Sequence, residues 1–185
     1  MGRLLLPLLA SLCLAACSNS NPPVATPTPS PPAATPSAPP AIAARPTSEV
    51  ILADADVGLP RVSARDNIGI AQAASEQENQ PLALTQYRQW GWVEESVRSW
   101  SGGPQKVDES LVLLTRLDGA TIAFQGWAGE LTQSGPCPDG LGLDECAVGS
   151  GGLVGRVGRY VFRLSGSGAD RSKLAGLQAG RIRMP

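Results

Sequence analysis

The chain has 185 residues, 42% of them hydrophobic, and its 15 basic and 16 acidic side chains leave a net charge of -1. This charge balance excludes a strongly basic nucleic-acid binder, so we expect no nucleic-acid partner, and the length excludes a large polytopic membrane protein. Histidine is absent. Because histidine is the commonest general base and metal ligand, we expect no metal, no cofactor and no catalytic triad.

The N-terminus has the pattern of an export signal. Arg3 precedes an uncharged apolar run from Leu4 to Ala16, which is typical of a signal peptide. At about 1.5 Å per residue the run spans roughly 20 Å, short of the roughly 30 Å hydrocarbon core of a bilayer. Residues 1–16 are therefore predicted to be a signal peptide rather than a permanent membrane anchor.

The run ends in Leu14-Ala15-Ala16-Cys17, which resembles the lipobox of bacterial lipoproteins. The resemblance implies cleavage before Cys17, a thioether-linked diacylglycerol on its sulfur, and a fatty acid such as palmitate on the new amino group. Ser18 resembles the outer-membrane sorting pattern of a Gram-negative host. We expect a lipid-anchored protein on the extracytoplasmic side of the cell membrane or outer membrane. The alternatives are an ordinary secretory signal with an incidental Cys17, or a cytoplasmic protein with an apolar N-terminus.

A stalk is predicted to follow the anchor, over residues 17–48. Ten prolines lie among alanine, serine and threonine in residues 18–48, and Arg45 is the only charge. Such a segment buries too little apolar surface to offset its ordering entropy, so we expect disorder with polyproline II character and a reach of at most roughly 95 Å. A docking site for a proline-recognition module is the alternative.

Residues 49–185 have the length of one domain. Alternating apolar residues, or a high content of β-branched residues and leucine, predict strands in three segments. Apolar residues at helical spacing, or a proline suited to the first helical turn, predict helices in three others. The predicted strands are 91–100, 107–115 and 157–164, and the predicted helices are 82–90, 118–131 and 172–182. The first two strands, joined by the turn 101–104, predict an antiparallel hairpin, and residues 61–80 are assigned to a loop or weak helix. We predict an α+β fold, a small antiparallel sheet with helices packed on one face.

Three details refine these elements. Asp118 and Asp170 are predicted to cap the second and third helices. Gly126 and Gly129 suggest that a neighbour packs closely against the second helix, whose Phe124 and Trp127 stripe is interpreted as core.

Short stretches in this region resemble PsbP-like or sensor-like domains of bacterial envelopes. They are Leu52-Ala53-Asp54-Ala55-Asp56, Gly91-Trp92-Val93, Gly119-Ala120 and Tyr160-Val161-Phe162-Arg163. The resemblance implies a binding or sensing domain, and it assigns no site residues.

Two of the four cysteines remain after signal removal and lipidation of Cys17. Cys137 and Cys146 are close in sequence, and in an oxidising envelope compartment they are predicted to form a disulfide. A redox or metal-binding pair is the alternative, but it lacks CxxC spacing and a histidine.

Carboxylates offer weak candidate sites. Asp139, Asp144 and Glu145 are hard oxygen ligands suited to Ca²⁺, but the alternation of oxygen ligands found in an EF-hand is missing, so a solvated acidic loop is the favoured interpretation. Glu94 and Glu95 are adjacent on a predicted strand, so they should point to opposite faces and cannot form an acid/base pair there. Asp108 or Glu109 could lie across the hairpin from them.

Charge is unevenly distributed along the domain. Residues 49–149 hold 15 acidic and 6 basic side chains, whereas residues 150–185 hold 7 basic and one acidic. The two parts could neutralise each other within the fold. Alternatively Arg156, Arg159 and Arg163, the last two on one face of a strand, could bind an anionic partner such as lipid headgroups or an envelope polymer.

These observations predict a lipid-anchored envelope lipoprotein with a non-catalytic, sensor-like domain that binds a ligand or an envelope protein. One alternative is a structural or assembly lipoprotein. The other is an envelope enzyme that uses carboxylates alone, which would require a pocket with two close carboxylates.

Overall fold

The computed structural model describes residues 43–132 and 135–185. Cys17, the predicted signal peptide and the stalk before residue 43 lie outside the described residues. Within them, six strands form one sheet. The strands are β1 (Arg61–Ile68), β2 (Trp92–Gly102), β3 (Gln105–Leu114), β4 (Glu145–Gly149), β5 (Gly152–Val157) and β6 (Tyr160–Ser167).

The sheet has the order β1-β2-β3-β6-β5-β4, and every neighbouring pair is antiparallel. The predicted hairpin is present as β2 and β3. The predicted strand 157–164 is wrong in its limits, because it joins the end of β5, a turn with Gly158 in the left-handed region, and the first half of β6. The assignment of residues 61–80 to a loop or weak helix is wrong over Arg61–Ile68, which forms β1, whereas Ile70–Ser75 does form a short helix.

Helices cover both faces of this sheet. They are α1 (Thr47–Val50), α2 (Asp54–Val57), α3 (Ile70–Ser75), α4 (Gln80–Trp90), α5 (Leu117–Gly129) and α6 (Arg171–Arg183). We name the face covered by α1, α2 and α6 the α6 face, and the face covered by α3, α4 and α5 the α5 face. In the part of the chain that the structure describes, no helix is both long and apolar enough to span a bilayer.

The α+β class and the antiparallel sheet are confirmed, but the helices do not share one face. Neighbouring residues of the central strands enter different cores. Leu153 and Phe162 belong to the core of the α6 face, whereas Val154 and Val161 belong to the core of the α5 face. Strands that are apolar on both sides indicate a sheet that is covered on both sides. In β2 and β3 this signal is obscured, because polar residues occur on both sides of these strands.

Helix ends follow partly from local chemistry. Asp170 caps α6 as predicted, accepting a hydrogen bond from the Lys173 N–H at 3.0 Å. Asp118 does not cap α5. The helix begins two residues earlier, with Arg116 as its N-cap, and Asp118 lies in its first turn, where a carboxylate is favourable beside the helix N-terminus.

A segment that we name the strap, residues 45–52, crosses the α6 face. Side chains of the sheet bind its backbone: Glu94 accepts from the Thr47 N–H at 2.6 Å, and Glu109 accepts from the Leu52 N–H at 3.2 Å. Arg98 donates to the Leu52 carbonyl at 2.8 Å, and Gln178 of α6 donates to the Val50 carbonyl at 3.0 Å. Together with the hydrogen bond that the Arg45 N–H donates to the Tyr160 hydroxyl at 2.6 Å, these contacts extend the folded region to Arg45, ahead of the predicted boundary at residue 49.

Candidate binding groove

A groove lies on the α5 face between the pair α3–α4 and the helix α5. It consists of two adjoining cavities of about 270 and 440 Å³. Both cavities are lined by Glu76, Gln77, Tyr87, Trp127 and Glu130. The smaller cavity reaches the sheet at Glu95 of β2 and Ser110 of β3, and the larger one opens along α4.

The walls of the groove are aromatic. Three of the four tryptophans line it, Trp90, Trp92 and Trp127, together with Tyr87. Tyr87 stacks on Trp92 with ring centroids 4.3 Å apart and an interplanar angle of 26°, and it tilts against Trp90 at 5.4 Å. Tyr87 and Trp92 are buried, whereas Trp90 and Trp127 are half-buried. The half-buried indoles therefore present surface to a ligand.

The sequence positions these rings through two helix junctions. Asn79 caps α4 by accepting from the Leu82 N–H at 3.2 Å, and Gly91 ends it in the left-handed conformation. Helix α5 comes close to the end of α4 at Gly119, where a Cβ atom would lie 1.9 Å from the Trp90 carbonyl oxygen. The prediction that a neighbour packs closely against α5 holds at Gly126, where a Cβ would lie 3.3 Å from the Trp90 ring, and is wrong at Gly129, which faces open space.

Acidic side chains surround the aromatic walls, and two of them have guanidinium partners. Arg65 pairs with Glu76, with one contact of 3.0 Å, and this hydrogen bond lowers the pKa of Glu76. Arg163 donates to Glu130 at 2.6 Å. Both pairs are largely exposed, so each contributes little to stability.

Glu95 differs from these carboxylates. It is half-buried at the sheet end of the groove, and among the described residues it forms no ion pair within 4.0 Å. Its partner is the Ser110 hydroxyl, which donates to Oε1. Burial raises the pKa of Glu95, and the Ser110 hydrogen bond only partly opposes that effect.

The Tyr87 side chain faces the same carboxylates. Burial raises the pKa of Tyr87 most strongly, and the negative charges of Glu95, Glu130 and Glu76 raise it further. Its hydroxyl forms no hydrogen bond to another described residue, although the residue is only 8% exposed. The groove thus offers an unused hydroxyl and a carboxylate without a guanidinium partner.

The arginines predicted to bind an anionic partner are dispersed and engaged. Arg156 pairs with Glu145, directly across from it on β4, and with Asp144 at 3.4 Å. Arg163 pairs with Glu130 in the groove. Arg159 lies in the turn before β6, not on the strand, and donates to the Thr115 carbonyl at 3.2 Å. The ion pairs of Arg156 and Arg163 therefore fit the other interpretation, in which the acidic and basic parts of the domain neutralise each other.

The acidic loop is tied to basic side chains. Asp144 accepts from Arg183 at 2.8 Å as well as from Arg156, and Glu145 is held by Arg156. Asp139 is exposed and takes part in no ion pair among residues 43–132 and 135–185. Over those residues, no three Cys, Asp or Glu side chains are placed to hold a metal ion.

Cys137 and Cys146 flank this loop as a disulfide, with their Cα atoms 5.7 Å apart, inside the range that such a bond spans. Both side chains pack at the edge of the core of the α6 face.

The carboxylates of the hairpin separate as their alternation predicts. Glu94 faces the strap on the α6 face, and Glu95 faces the groove on the α5 face. Glu109 lies across from Arg98, and Asp108 lies across from Ser99, so neither is opposite Glu94 or Glu95. The side chain adjacent to Glu95 is Ser110 instead.

Sequence reasoning missed the groove because its lining residues come from six separate elements, α3, α4, α5, β2, β3 and β6. Trp127 was assigned to the core, and Tyr87 and Trp90 attracted no functional interpretation. The available signal is the density of aromatic residues between 87 and 92 together with Trp127, in a chain with only 4% aromatic residues.

Comparisons with known proteins provide no relative: no family model, curated protein or solved structure matches this chain.

Proposed function

We propose that this protein is a lipid-anchored cell-envelope lipoprotein whose domain binds a small ligand in the groove on the α5 face. The anchor rests on Leu14-Ala15-Ala16-Cys17 at the end of a short apolar run. The binding activity rests on one observation, the convergence of Tyr87, Trp90 and Trp127 with Glu95 around a groove. Ligand sites combine such apolar walls with a few polar groups that orient the ligand.

The lipid anchor is tested by mass spectrometry of the mature protein. We expect an N-terminal Cys17 carrying diacylglycerol, and we expect a Cys17→Ala variant to leave the membrane fraction. A mature chain with an unmodified Cys17, or a variant that remains membrane-bound in the absence of other anchors, would contradict the anchoring.

The binding activity is tested by native mass spectrometry of the full chain incubated with a small-molecule extract of a bacterial envelope. Gln77 lines both cavities and is exposed, so Gln77→Trp should fill the groove without disturbing the core. Gln72→Trp is the matched control, because Gln72 is exposed in the same region and lines neither cavity. A bound mass in the wild type and control that disappears in Gln77→Trp supports the proposal. Binding that is unaffected by Gln77→Trp would refute it.

The carboxylate enzyme is the second candidate function, and one observation favours it. Glu76, Glu95 and Glu130 line one cavity, and burial raises the pKa of Glu95 as is typical of a general acid. If the groove is catalytic, Glu95→Gln should abolish turnover of the ligand found above while leaving it bound. Turnover that persists in Glu95→Gln would exclude this function.

A further inference from the structure

We propose that the ligand of the groove is a small organic cation, whose ammonium group binds in the smaller cavity beside Glu95 and against the indole ring of Trp127. This inference deepens the proposed function and rests on it.

The charges of the groove favour a cation. Four carboxylates line the two cavities, Glu76, Glu78, Glu95 and Glu130, whereas Arg163 is the one basic side chain among the lining residues. Arg163 is already bound to Glu130, and Arg65 is bound to Glu76. Glu95 therefore has no ion pair of its own, and among the basic side chains only the more distant charge of Arg65 lowers its pKa. A partly buried carboxylate of this kind gains most from a positive group placed next to it.

The walls of the groove favour an organic cation over a metal ion. An ammonium group above an indole face is attracted by the negative face of the ring, most strongly when it is shielded from water. Trp127 lines both cavities and Trp90 lines the larger one. A metal ion would require several oxygen ligands in one cluster, and the described residues provide no such cluster.

The other ligand classes fit less well. An anion would be repelled by the carboxylates of the groove, and the one guanidinium among the lining residues, that of Arg163, is already bound to Glu130. A neutral sugar would stack on the indoles, but it would leave Glu95 without a counter-ion. The Tyr87 hydroxyl can accept a hydrogen bond from an N–H donor or orient a substituent of the cation.

The affinity of the groove for a cation should depend on the ionisation of Glu95. The charged and titratable groups around Glu95 come from β1, α4, β6 and the ends of α3 and α5; they are Arg65, Tyr87, Arg163, Glu76 and Glu130. Because burial raises the pKa of Glu95, its negative charge is lost on acidification at a higher pH than for an exposed glutamate. Affinity for a cation should therefore rise with pH as Glu95 loses its proton.

The test uses choline and its uncharged carbon analogue 3,3-dimethylbutan-1-ol with the full chain in detergent, read out by tryptophan fluorescence and isothermal titration calorimetry. We expect saturable binding of choline and at least about tenfold weaker binding of the analogue, which corresponds to about 1.4 kcal/mol. Glu95→Gln should weaken choline by about tenfold, remove its pH dependence and leave the analogue unchanged. Trp127→Leu should weaken choline similarly.

Asp139→Asn is the matched control, because it removes one exposed negative charge outside the groove. It should leave choline binding unchanged. Equal binding of choline and its analogue, or equal effects of Asp139→Asn and Glu95→Gln, would overturn the cation proposal. The envelope-extract experiment separates the two failures: a neutral or anionic ligand displaced by Gln77→Trp refutes the cation and preserves the binding function.

Discussion

The two faces of the sheet use polar side chains in different ways. On the α6 face Glu94, Arg98, Glu109 and Gln178 all bind backbone atoms of the strap, and the apolar residues Val50, Ile51 and Leu52 close over them. On the α5 face Glu95 and the Tyr87 hydroxyl line a cavity instead.

The difference shows which polar groups are structural. A buried carboxylate that accepts from a backbone N–H satisfies a donor that would otherwise be costly to bury. A half-buried carboxylate beside an open aromatic wall contributes no comparable contact to the fold. We therefore interpret these polar groups of the α6 face as structural and propose that those of the α5 face serve ligand binding. The four predictions below test that division.

The largest expected effect contrasts two tryptophans. Trp100 is fully buried on the α6 face and donates to Asp54 at 2.9 Å, whereas Trp127 is half-buried in the groove. Trp100→Ala should lower the free energy of unfolding by about 3–5 kcal/mol. Trp127→Ala should lower it by only about 1 kcal/mol while removing ligand binding. Urea denaturation of both variants measures the contrast, and equal losses of stability would contradict it.

The second prediction concerns Glu109, whose side chain is buried beneath the strap. Burial raises its pKa to about 8, from 4.5, although the Leu52 N–H and the charge of Arg98 oppose the shift. An acid with a raised pKa in the folded state contributes stability that is complete below the unfolded pKa and is lost as the pH rises through the folded one. The free energy of unfolding should fall between pH 4.5 and about 8, with up to about 1.4 kcal/mol lost per pH unit.

Glu109→Gln checks this prediction, because the amide keeps an acceptor for the Leu52 N–H and carries no charge. Its stability relative to the wild type should increase with pH, measured by urea denaturation at several pH values. Asp139→Asn should show no such trend. If Glu109→Gln follows the wild-type pH dependence, Glu109 is ionised in the fold.

The third prediction concerns the disulfide at the edge of the α6 face. Closing so short a loop, with a sequence separation of 9, should contribute about 2–3 kcal/mol through the entropy of the unfolded chain. The Cys137→Ser/Cys146→Ser double variant should lose that amount in thermal or urea denaturation. It should retain ligand affinity, because neither cysteine lines the groove. Reduction of the wild type with dithiothreitol should reproduce the loss of stability. A change in the affinity of the groove for its ligand would contradict the view that the disulfide stabilises the α6 face without affecting the α5 face.

The sequence predicted the elements whose own residues carry a clear local signal. The β2–β3 hairpin and α6 were predicted from the pattern and type of their apolar residues, and α4 was predicted from Pro81, which suits a first helical turn. Strand β1 was missed because it is an edge strand with every residue exposed except Ile68, so no buried face patterns it. Strands β4 and β5 were missed because glycines and a short turn obscure their alternation.

The site was less predictable than the fold because it depends on tertiary placement. The pairing of Arg156 with Glu145 is a matter of strand register, and the convergence of Tyr87, Glu95 and Trp127 requires three elements to pack together. A single sequence reports residue types along the chain and not which of them meet. The local alternation nevertheless placed Glu94 and Glu95 on opposite faces correctly.

The smallest expected effect separates two glycines of α5, the helix that forms one wall of the groove. A Cβ at Gly119 would lie 1.9 Å from the Trp90 carbonyl oxygen, whereas a Cβ at Gly129 meets nothing within 4 Å. Gly119→Ala should therefore destabilise the fold by about 1–3 kcal/mol, because backbone and not a flexible side chain must move. Gly129→Ala should stabilise it by about 0.5–1 kcal/mol, since alanine restricts the unfolded chain and favours the helix.

Denaturation curves of the two alanine variants, with a ligand titration on each, test whether binding on the α5 face depends on how α5 packs against α4. Displacing α5 from α4 moves Trp127 relative to Trp90, so Gly119→Ala should weaken cation binding as well as stability, and Gly129→Ala should leave binding unchanged. A Gly119→Ala variant that loses stability but binds choline with wild-type affinity would show that the groove does not depend on the contact between α4 and α5. In that case the ligand would be held by Glu95 and the sheet alone.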